Sequence, residues 1–208
     1  MTWELWASFV VISGAAIVTP GPGNLNTLRR AVELGHRPAL FCLFGNVIGL
    51  AILGAATGLG LIALLVATPS LWSAFQWIAL GFLVFLALQM MAPSSPPQFG
   101  HGSVSTGSHR QLLFEAVVVS ALNPKAAMFY IAVFPLYTDP AQPFVPQATL
   151  IVVTCLVISA LSHGMYIFLA SVTRHHLSAP NRYRMFRVIS GVVMLGLAAW
   201  LFSRALAR

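Results

Sequence analysis

The sequence predicts an all-α integral membrane protein with about six transmembrane helices, arranged as two inverted three-helix repeats. Two observations lead to this prediction. Hydrophobic residues make up 58% of the 208 residues and charged residues only 7%, which leaves too little polar surface for a soluble domain of this size. In addition, six largely apolar stretches are close to or longer than the roughly 20 residues that an α-helix needs to cross a bilayer.

The predicted spans are separated mostly by proline and arginine. They are Leu5–Asn24, Pro38–Val66, Leu71–Met91, Leu112–Leu136, Phe144–Val172 and Phe186–Ser203. The amino terminus lacks the positive region of a cleavable signal peptide, so we expect the first span to be retained. Both cysteines, Cys42 and Cys155, fall within spans, where thiols behave as small hydrophobic side chains. Neither a disulfide framework nor a metal site is therefore expected.

The positive charges lie mostly between the spans. The formal net charge is +7, but no basic stripe with interleaved aromatics indicates nucleic-acid binding. Three alternate connections contain Arg29, Arg30, Arg37, Arg110, Arg174, Arg182, Arg184 and Arg187, whereas those around 68–70 and 137–146 contain no Lys or Arg. Basic connections favour the cytoplasm, which places both termini outside. Arg204 and Arg208 instead favour a carboxyl terminus in the cytoplasm. A protein of five transmembrane helices, with the first segment at the membrane interface, remains an alternative.

A stretch rich in Pro, Gly and Ser divides the chain. Residues 93–110 contain almost no large aliphatic side chains, as expected of a cytoplasmic linker that cannot bury a core. The flanking halves, 1–92 and 111–208, each contain three predicted spans. An odd number of spans makes the second half enter the membrane from the opposite side, as in inverted-topology repeats.

Two spans at corresponding positions contain motifs that break helices. The first contains Thr19-Pro20-Gly21-Pro22-Gly23-Asn24 and the fourth contains Asn123-Pro124-Lys125. Proline removes a backbone donor and glycine permits unusual backbone angles. Within hydrocarbon the freed backbone groups need partners, so an opened helix end with Asn24 and Asn26 beside it is a candidate cradle for a zwitterion. The alternative is that the first motif simply ends helix 1 at the cytoplasmic face.

Lys125 is the most informative charge. A lysine at the centre of a span costs about 2.5 to 3.5 kcal/mol on insertion scales, so it usually faces a cavity or a partner. That partner could be a substrate carboxylate, an unwound carbonyl of the other half, or a nearby acid. Snorkelling toward the interface is the alternative.

Other embedded residues divide into packing and polar candidates. Gly45, Gly49, Gly54, Gly58, Gly81 and Gly191 are predicted to allow close helix packing. Asn46 needs a hydrogen-bond partner, either on another helix or on a substrate. Ser159, Ser162, His163 and Tyr166 share one face of the fifth span, which we expect to look into the bundle. His163 is a candidate proton carrier, with packing as its alternative role.

These motifs occur together in a known family. They are Thr19-Pro20-Gly21-Pro22 with Asn24 shortly after it, Gly35, Gly45, Gly49, and Asn123-Pro124-Lys125-Ala126-Ala127-Met128-Phe129 followed by Phe134-Pro135. The chain resembles the LysE/RhtB family of amino acid exporters over nearly its whole length, including Gly81, Ile189-Ser190-Gly191 and Gly196. It departs from the family's common Pro-Gly-Pro-Asn by the insertion of Gly23 before Asn24.

The resemblance implies a multi-pass carrier in the bacterial inner membrane that exports amino acids or close derivatives, commonly driven by the proton gradient. The expected partners are an amino acid, the lipid bilayer and protons, with homo-oligomerisation left open and no cofactor. No Asp or Glu lies deep in a predicted span, which favours neutral, threonine- or homoserine-like substrates over cationic ones.

The sequence lacks the motifs of known intramembrane enzymes. An intramembrane enzyme would need paired carboxylates, a Gly-x-Ser-Gly run or a His-Glu-x-x-His site, and the sequence contains none of them. No enzymatic activity is therefore expected. A channel or a structural membrane scaffold remains an alternative, since packing glycines and broken helices also occur in pores.

Overall fold

The computed structural model describes residues 1–67, 71–92, 108–172 and 180–206, and the regular secondary structure within these ranges is entirely helical. The helices are α1 Trp3–Val18, α2 Pro22–Leu34, α3 His36–Ala67, α4 Leu71–Met91, α5 His109–Ala121, α6 Pro124–Tyr137, α7 Phe144–Val172 and α8 Pro180–Leu206. The predicted all-α fold is confirmed for these residues. The connection at 68–70, most of the linker (93–107), Arg174 and Arg208 lie outside them, as do the side chains of Pro22, Arg182, Arg187 and Arg204.

The first and fourth predicted spans are each two helices. α1 and α2 meet at a bend of 52°, and α5 and α6 at a bend of 50°. The breaks fall at the proline motifs because Pro22 and Pro124 each occupy the first turn of a new helix, where the missing N–H costs nothing. The predicted end at Asn24 was wrong, since the chain continues as a helix to Leu34.

Two helices, α3 and α7, are each long and apolar enough to cross a membrane, and each bent pair passes the same test when taken together. The described parts of α4 and α8 contain shorter apolar stretches, Gln76–Met91 and Val188–Ser203. Length and composition thus give two to four crossings within the described residues. The count of six, the division into halves and the inverted repeats remain predictions.

The packing agrees with an apolar surrounding. The main core contains Phe9 and Ile12 of α1, Leu83 of α4, and Tyr130 and Phe134 of α6. Many large apolar side chains are instead exposed on the outside, among them Phe44, Leu59, Phe114, Leu161 and Phe168. An exposed apolar surface of this extent fits contact with lipid.

Several glycines lie where helices approach closely. A Cβ at Gly45 or Gly49 of α3 would collide with the backbone carbonyls of Leu113 and Val117 on α5. These two glycines therefore let α3 and α5 pack backbone to backbone.

The other predicted packing glycines differ among themselves. A Cβ at Gly54 would lie 2.9 Å from the Tyr130 ring, and one at Gly191 would lie 2.5 Å from Met91 Cγ. At Gly58 the nearest ring atom would be 3.6 Å away, which is ordinary contact. At Gly81 no described atom lies within 4 Å, so no neighbouring helix in the described part of the chain requires a glycine there.

Candidate functional site

The two helix breaks meet at one cavity of about 70 Å³. This volume exceeds the roughly 10 to 15 Å³ that a cavity needs to hold one water molecule. The wall contains the carboxyl end of α1, the amino ends of α2 and α6, and side chains from α3, α5 and α7. The predicted residues in this wall are Gly21, Gly23, Asn24, Asn46, Asn123, Lys125 and His163.

The carbonyl groups at the end of α1 are satisfied by side chains. The last four carbonyls of a helix have no partner within the helix, and in a membrane an unpaired one is costly. The donors are Thr19 Oγ1 to Ala15 O (2.6 Å), Lys125 Nζ to Ala16 O (2.9 Å), Asn24 Nδ2 to Ile17 O (2.7 Å), Tyr166 OH to Val18 O (2.8 Å) and Lys125 Nζ to Thr19 O (3.2 Å). Side chains of α2, α6 and α7 thus hold the broken end of α1.

Lys125 therefore reaches from the second half of the chain to the first. The sequence left three kinds of partner open for Lys125. The structure shows one of them, the carbonyls at the broken helix of the other half. The adjacent Asn123 caps α6, because its side-chain oxygen accepts from the backbone N–H of Lys125 at 3.0 Å. This cap fixes where α6 begins and so where the ammonium projects.

A second polar cluster joins α2, α3 and α7. Thr27 Oγ1 lies 2.9 Å from His163 Nδ1, and Asn46 Nδ2 donates to the same Thr27 oxygen at 3.2 Å and to Cys42 O at 2.8 Å. All three side chains are buried, with Thr27 0% exposed. Since Thr27 accepts from Asn46, its own hydrogen is free to donate to His163 Nδ1, which fits a neutral imidazole with its proton on Nε2.

The remaining predicted residues lie around these clusters. Ser159, Ser162, His163 and Tyr166 are all buried, which confirms that this face of α7 looks into the bundle. Ser159 lines the cavity, whereas Ser162 and Tyr166 are not among the residues that line it. Pro20 joins α1 to α2, and Pro22 and Pro124 begin α2 and α6. Asn26, named with Asn24 from the sequence, does not line the cavity.

Sequence reasoning missed Thr27 because it placed the end of the first span at Asn24. Thr27 follows Gly23 by four residues and therefore shares its face of α2. Ser120, Tyr130 and Cys155, which also line the cavity, carry no sequence signal that separates them from packing residues.

An ion-pair cluster lies between α2 and α5. Arg30 contacts Glu115 at 2.8 Å and Glu33 at 3.9 Å, and Arg29 contacts Glu33 at 2.7 Å. The Arg30 side chain is only 11% exposed. Arg30 thus links the two halves of the chain at a second place, apart from the cavity wall.

Comparison with known proteins identifies the family. Residues 14–204 match the sequence profile of the LysE type translocators. The chain belongs to this family. The match confirms the resemblance that the Pro-Gly-Pro and Asn-Pro-Lys motifs predicted. No solved structure matches this LysE type translocator.

Three curated relatives cover almost the whole translocator. A homoserine/homoserine lactone efflux protein of Salmonella typhimurium is 26% identical over 98% of both chains. A leucine efflux protein of Salmonella choleraesuis is 24% identical over 95% of this chain and 92% of its own. An uncharacterized membrane protein of Vibrio cholerae is 26% identical over 94% and 95%. This chain is thus a membrane protein of a family that contains amino acid efflux transporters, and the two Salmonella relatives are named as efflux proteins.

Proposed function

We propose that this protein exports amino acids through the cavity between its two broken helices. The observation that carries the proposal is the meeting, in one wall, of helix carbonyls and helix amino ends. The carboxyl end of α1 carries partial negative charge, and the amino ends of α2 and α6 carry partial positive charge. An α-amino acid is a zwitterion, so this wall offers complementary charge to both of its ends.

The side chain of the substrate is proposed to be neutral. The described residues of the wall include no Asp or Glu, so a second ammonium would find no counter-charge. Two of the relatives are named for efflux of homoserine/homoserine lactone and of leucine, and homoserine and leucine are both neutral amino acids. We favour a threonine- or homoserine-like substrate because Asn46 and Ser159 in the wall are hydrogen-bonding groups suited to a hydroxyl.

The carrier is proposed to cross the bacterial inner membrane six times, with each bent pair counted as one crossing and α3, α4, α7 and α8 as the other four. Each half would then contain a bent pair, a long helix and a third helix in the same order, related by inversion. Transport follows from rocking of the halves about the cavity. The proton gradient supplies the energy, and the termini lie outside because the basic connections prefer the cytoplasm.

Efflux from preloaded cells tests the proposal. Cells expressing the wild type, the empty vector, Lys125→Ala or Pro20→Ala/Pro22→Ala are loaded with labelled homoserine, threonine, leucine or lysine. We expect faster loss of one neutral amino acid from wild-type cells than from cells with the empty vector or either of these variants, and an uncoupler should slow it. Arg184→Ala serves as the matched control, since it removes a positive charge at an exposed position of α8.

Each outcome has a defined meaning. Wild-type rates in the Lys125→Ala protein would place the substrate elsewhere. If the protein speeds the loss of labelled amino acid from the cells and the uncoupler does not slow it, a channel is favoured. No protein-dependent loss of any amino acid would contradict export of this substrate class.

A further inference from the structure

The ammonium of Lys125 occupies a position that suits the ammonium of a ligand. Lys125 is the only lysine in the sequence, and its Nζ donates to the carbonyls of Ala16 and Thr19. Unwound carbonyls at the end of a broken membrane helix are a recurrent site for cations. In this structure a side chain of the protein itself fills that site.

The amino end of α2, in the same wall, favours an anion. Its N-cap Gly21 makes no side-chain cap, and Pro22 at the next position has no N–H. The backbone N–H groups of Gly23 and Asn24 then have no acceptor within the helix. Such groups, with the helix dipole behind them, stabilise a carboxylate.

A buried oxygen provides an independent indication of a ligand. Asn46 is 1% exposed and lines the cavity. Its Nδ2 has two acceptors, whereas its Oδ1 has no hydrogen-bond partner among the described residues. That oxygen lies 2.6 Å from the point that a Cβ at Gly23 would occupy, so it is at the amino end of α2. Because a buried polar atom without a partner is costly, this oxygen favours a ligand that carries a donor.

We propose that Lys125 is an exchangeable substitute for the α-ammonium of the substrate. An incoming amino acid places its own ammonium on the carbonyls of Ala16 and Thr19, and its carboxylate binds the displaced Lys125 and the amino end of α2. Lys125 thereby makes binding depend on a ligand that has both charges. This inference rests on the proposed function and specifies how its site selects a zwitterion.

The balance of charge and hydrogen bonds requires both ends of the ligand. A zwitterion leaves the net charge of the cavity unchanged, and both carbonyls keep a cationic donor. An amine without a carboxylate adds a second cation beside Lys125, which repels it. An acid without an amine attracts Lys125 away and leaves the α1 carbonyls without a donor.

The space around Lys125 permits the exchange. A Cβ at Gly21 would lie 3.6 Å from Lys125 Cδ and 3.7 Å from Nζ, so the absence of a side chain at Gly21 leaves room beside the lysine stem. The lysine side chain is a flexible stem of four carbons that ends in a compact ammonium. Rotation about the bonds of the stem can therefore move the ammonium without a shift of the backbone.

The single lysine allows a direct measurement on the unaltered protein. The full chain, labelled with ¹³C at the lysine ε-carbon and placed in nanodiscs, is expected to give one lysine signal. We expect L-homoserine to shift this signal along a saturable curve that matches its binding measured by calorimetry. We expect 3-aminopropan-1-ol and 4-hydroxybutanoate, its amine and acid counterparts, to bind at least tenfold more weakly. Binding of homoserine with an unshifted lysine signal would overturn the inference.

A substitution tests the selectivity. Lys125→Met is expected to weaken homoserine binding at least tenfold and to strengthen binding of 3-aminopropan-1-ol at least tenfold, because the carbonyls are vacated and the repelling charge is gone. Lys125→Arg retains a cation and is expected to keep excluding the amine. Failure of Lys125→Met to gain amine binding would overturn the inference. If Lys125→Met does not fold, the lysine signal of the wild type decides.

The inference and the proposed function fail in different ways. If the wild type neither binds nor exports homoserine, threonine and leucine, the proposed function fails and the inference fails with it. If the wild type binds and exports one of them while Lys125 stays on its carbonyls, only the inference fails.

Discussion

Thr27 Oγ1 on α2 lies 2.9 Å from His163 Nδ1 on α7. The same oxygen accepts from Asn46 on α3, so one hydroxyl connects three helices beside the cavity. Because Thr27 is 0% exposed, no water replaces this hydroxyl without a change of packing. Thr27 therefore sets the positions of two cavity-wall side chains, Asn46 and His163.

Replacing Thr27 by Val is expected to destabilise the protein by about 1 to 3 kcal/mol, because the shape is kept but two buried partners lose their hydrogen bond. Export should fall with it. Thr27→Ser keeps the hydroxyl and should retain most export. Thermal unfolding in detergent and amino acid efflux measure the two effects. Equal behaviour of the Val and Ser variants would show that the hydroxyl does not matter.

Gly49→Ala is expected to destabilise the protein by about 1 to 3 kcal/mol through overpacking, since the added methyl would collide with the Val117 carbonyl on α5. Gly81→Ala is the matched control. No described atom lies within 4 Å of its added methyl, and alanine favours a helix over glycine by about 1 kcal/mol. The thermal midpoint should fall for the first variant and not for the second. A common shift would contradict close packing of α3 on α5.

Tyr166→Phe is expected to cost about 1 to 3 kcal/mol. The lost hydroxyl donates to Val18 O at 2.8 Å, and that carbonyl is at a helix end with no backbone donor of its own. Thr57→Val is a suitable comparison because Thr57 donates to Leu53 O inside α3, where the carbonyl already accepts from the helix backbone. Its thermal midpoint should change less. The reverse order would show that Tyr166 does not hold the end of α1.

The Arg30 to Glu115 pair is expected to couple α2 to α5. A double-mutant cycle with Arg30→Gln and Glu115→Gln should give a coupling of about 0.5 kcal/mol or more, because Arg30 is largely buried. The pair of Arg29 and Glu33 within α2 is the control, and its coupling should be smaller because the Arg29 side chain is 48% exposed and screened by water. Unfolding of the four proteins of each cycle measures both couplings. Additive effects at Arg30 and Glu115 would show that the contact contributes nothing.

The sequence by itself determined the helical content and the sites of the breaks. Both are local properties: apolar composition over a long stretch favours a membrane helix, and Pro22 and Pro124 suit the first turn of a new helix, where a missing N–H costs nothing. The family was also readable, since the motifs around Lys125 and Pro20 are contiguous in the chain. The extent of α2 could not be predicted from the sequence, because the helix continues to Leu34 through polar residues that resemble a connection between spans.

Only the tertiary structure decided what the breaks contact. The carbonyls at the end of α1 accept from Asn24, Lys125 and Tyr166, which come from three different helices and up to 148 positions away in sequence. No local pattern indicates such pairings, because a polar side chain in an apolar span has the same sequence signature whichever helix it faces. Helix packing brings these donors to one point. The contacts are then stabilised because a carbonyl without a hydrogen-bond partner is costly in an apolar medium.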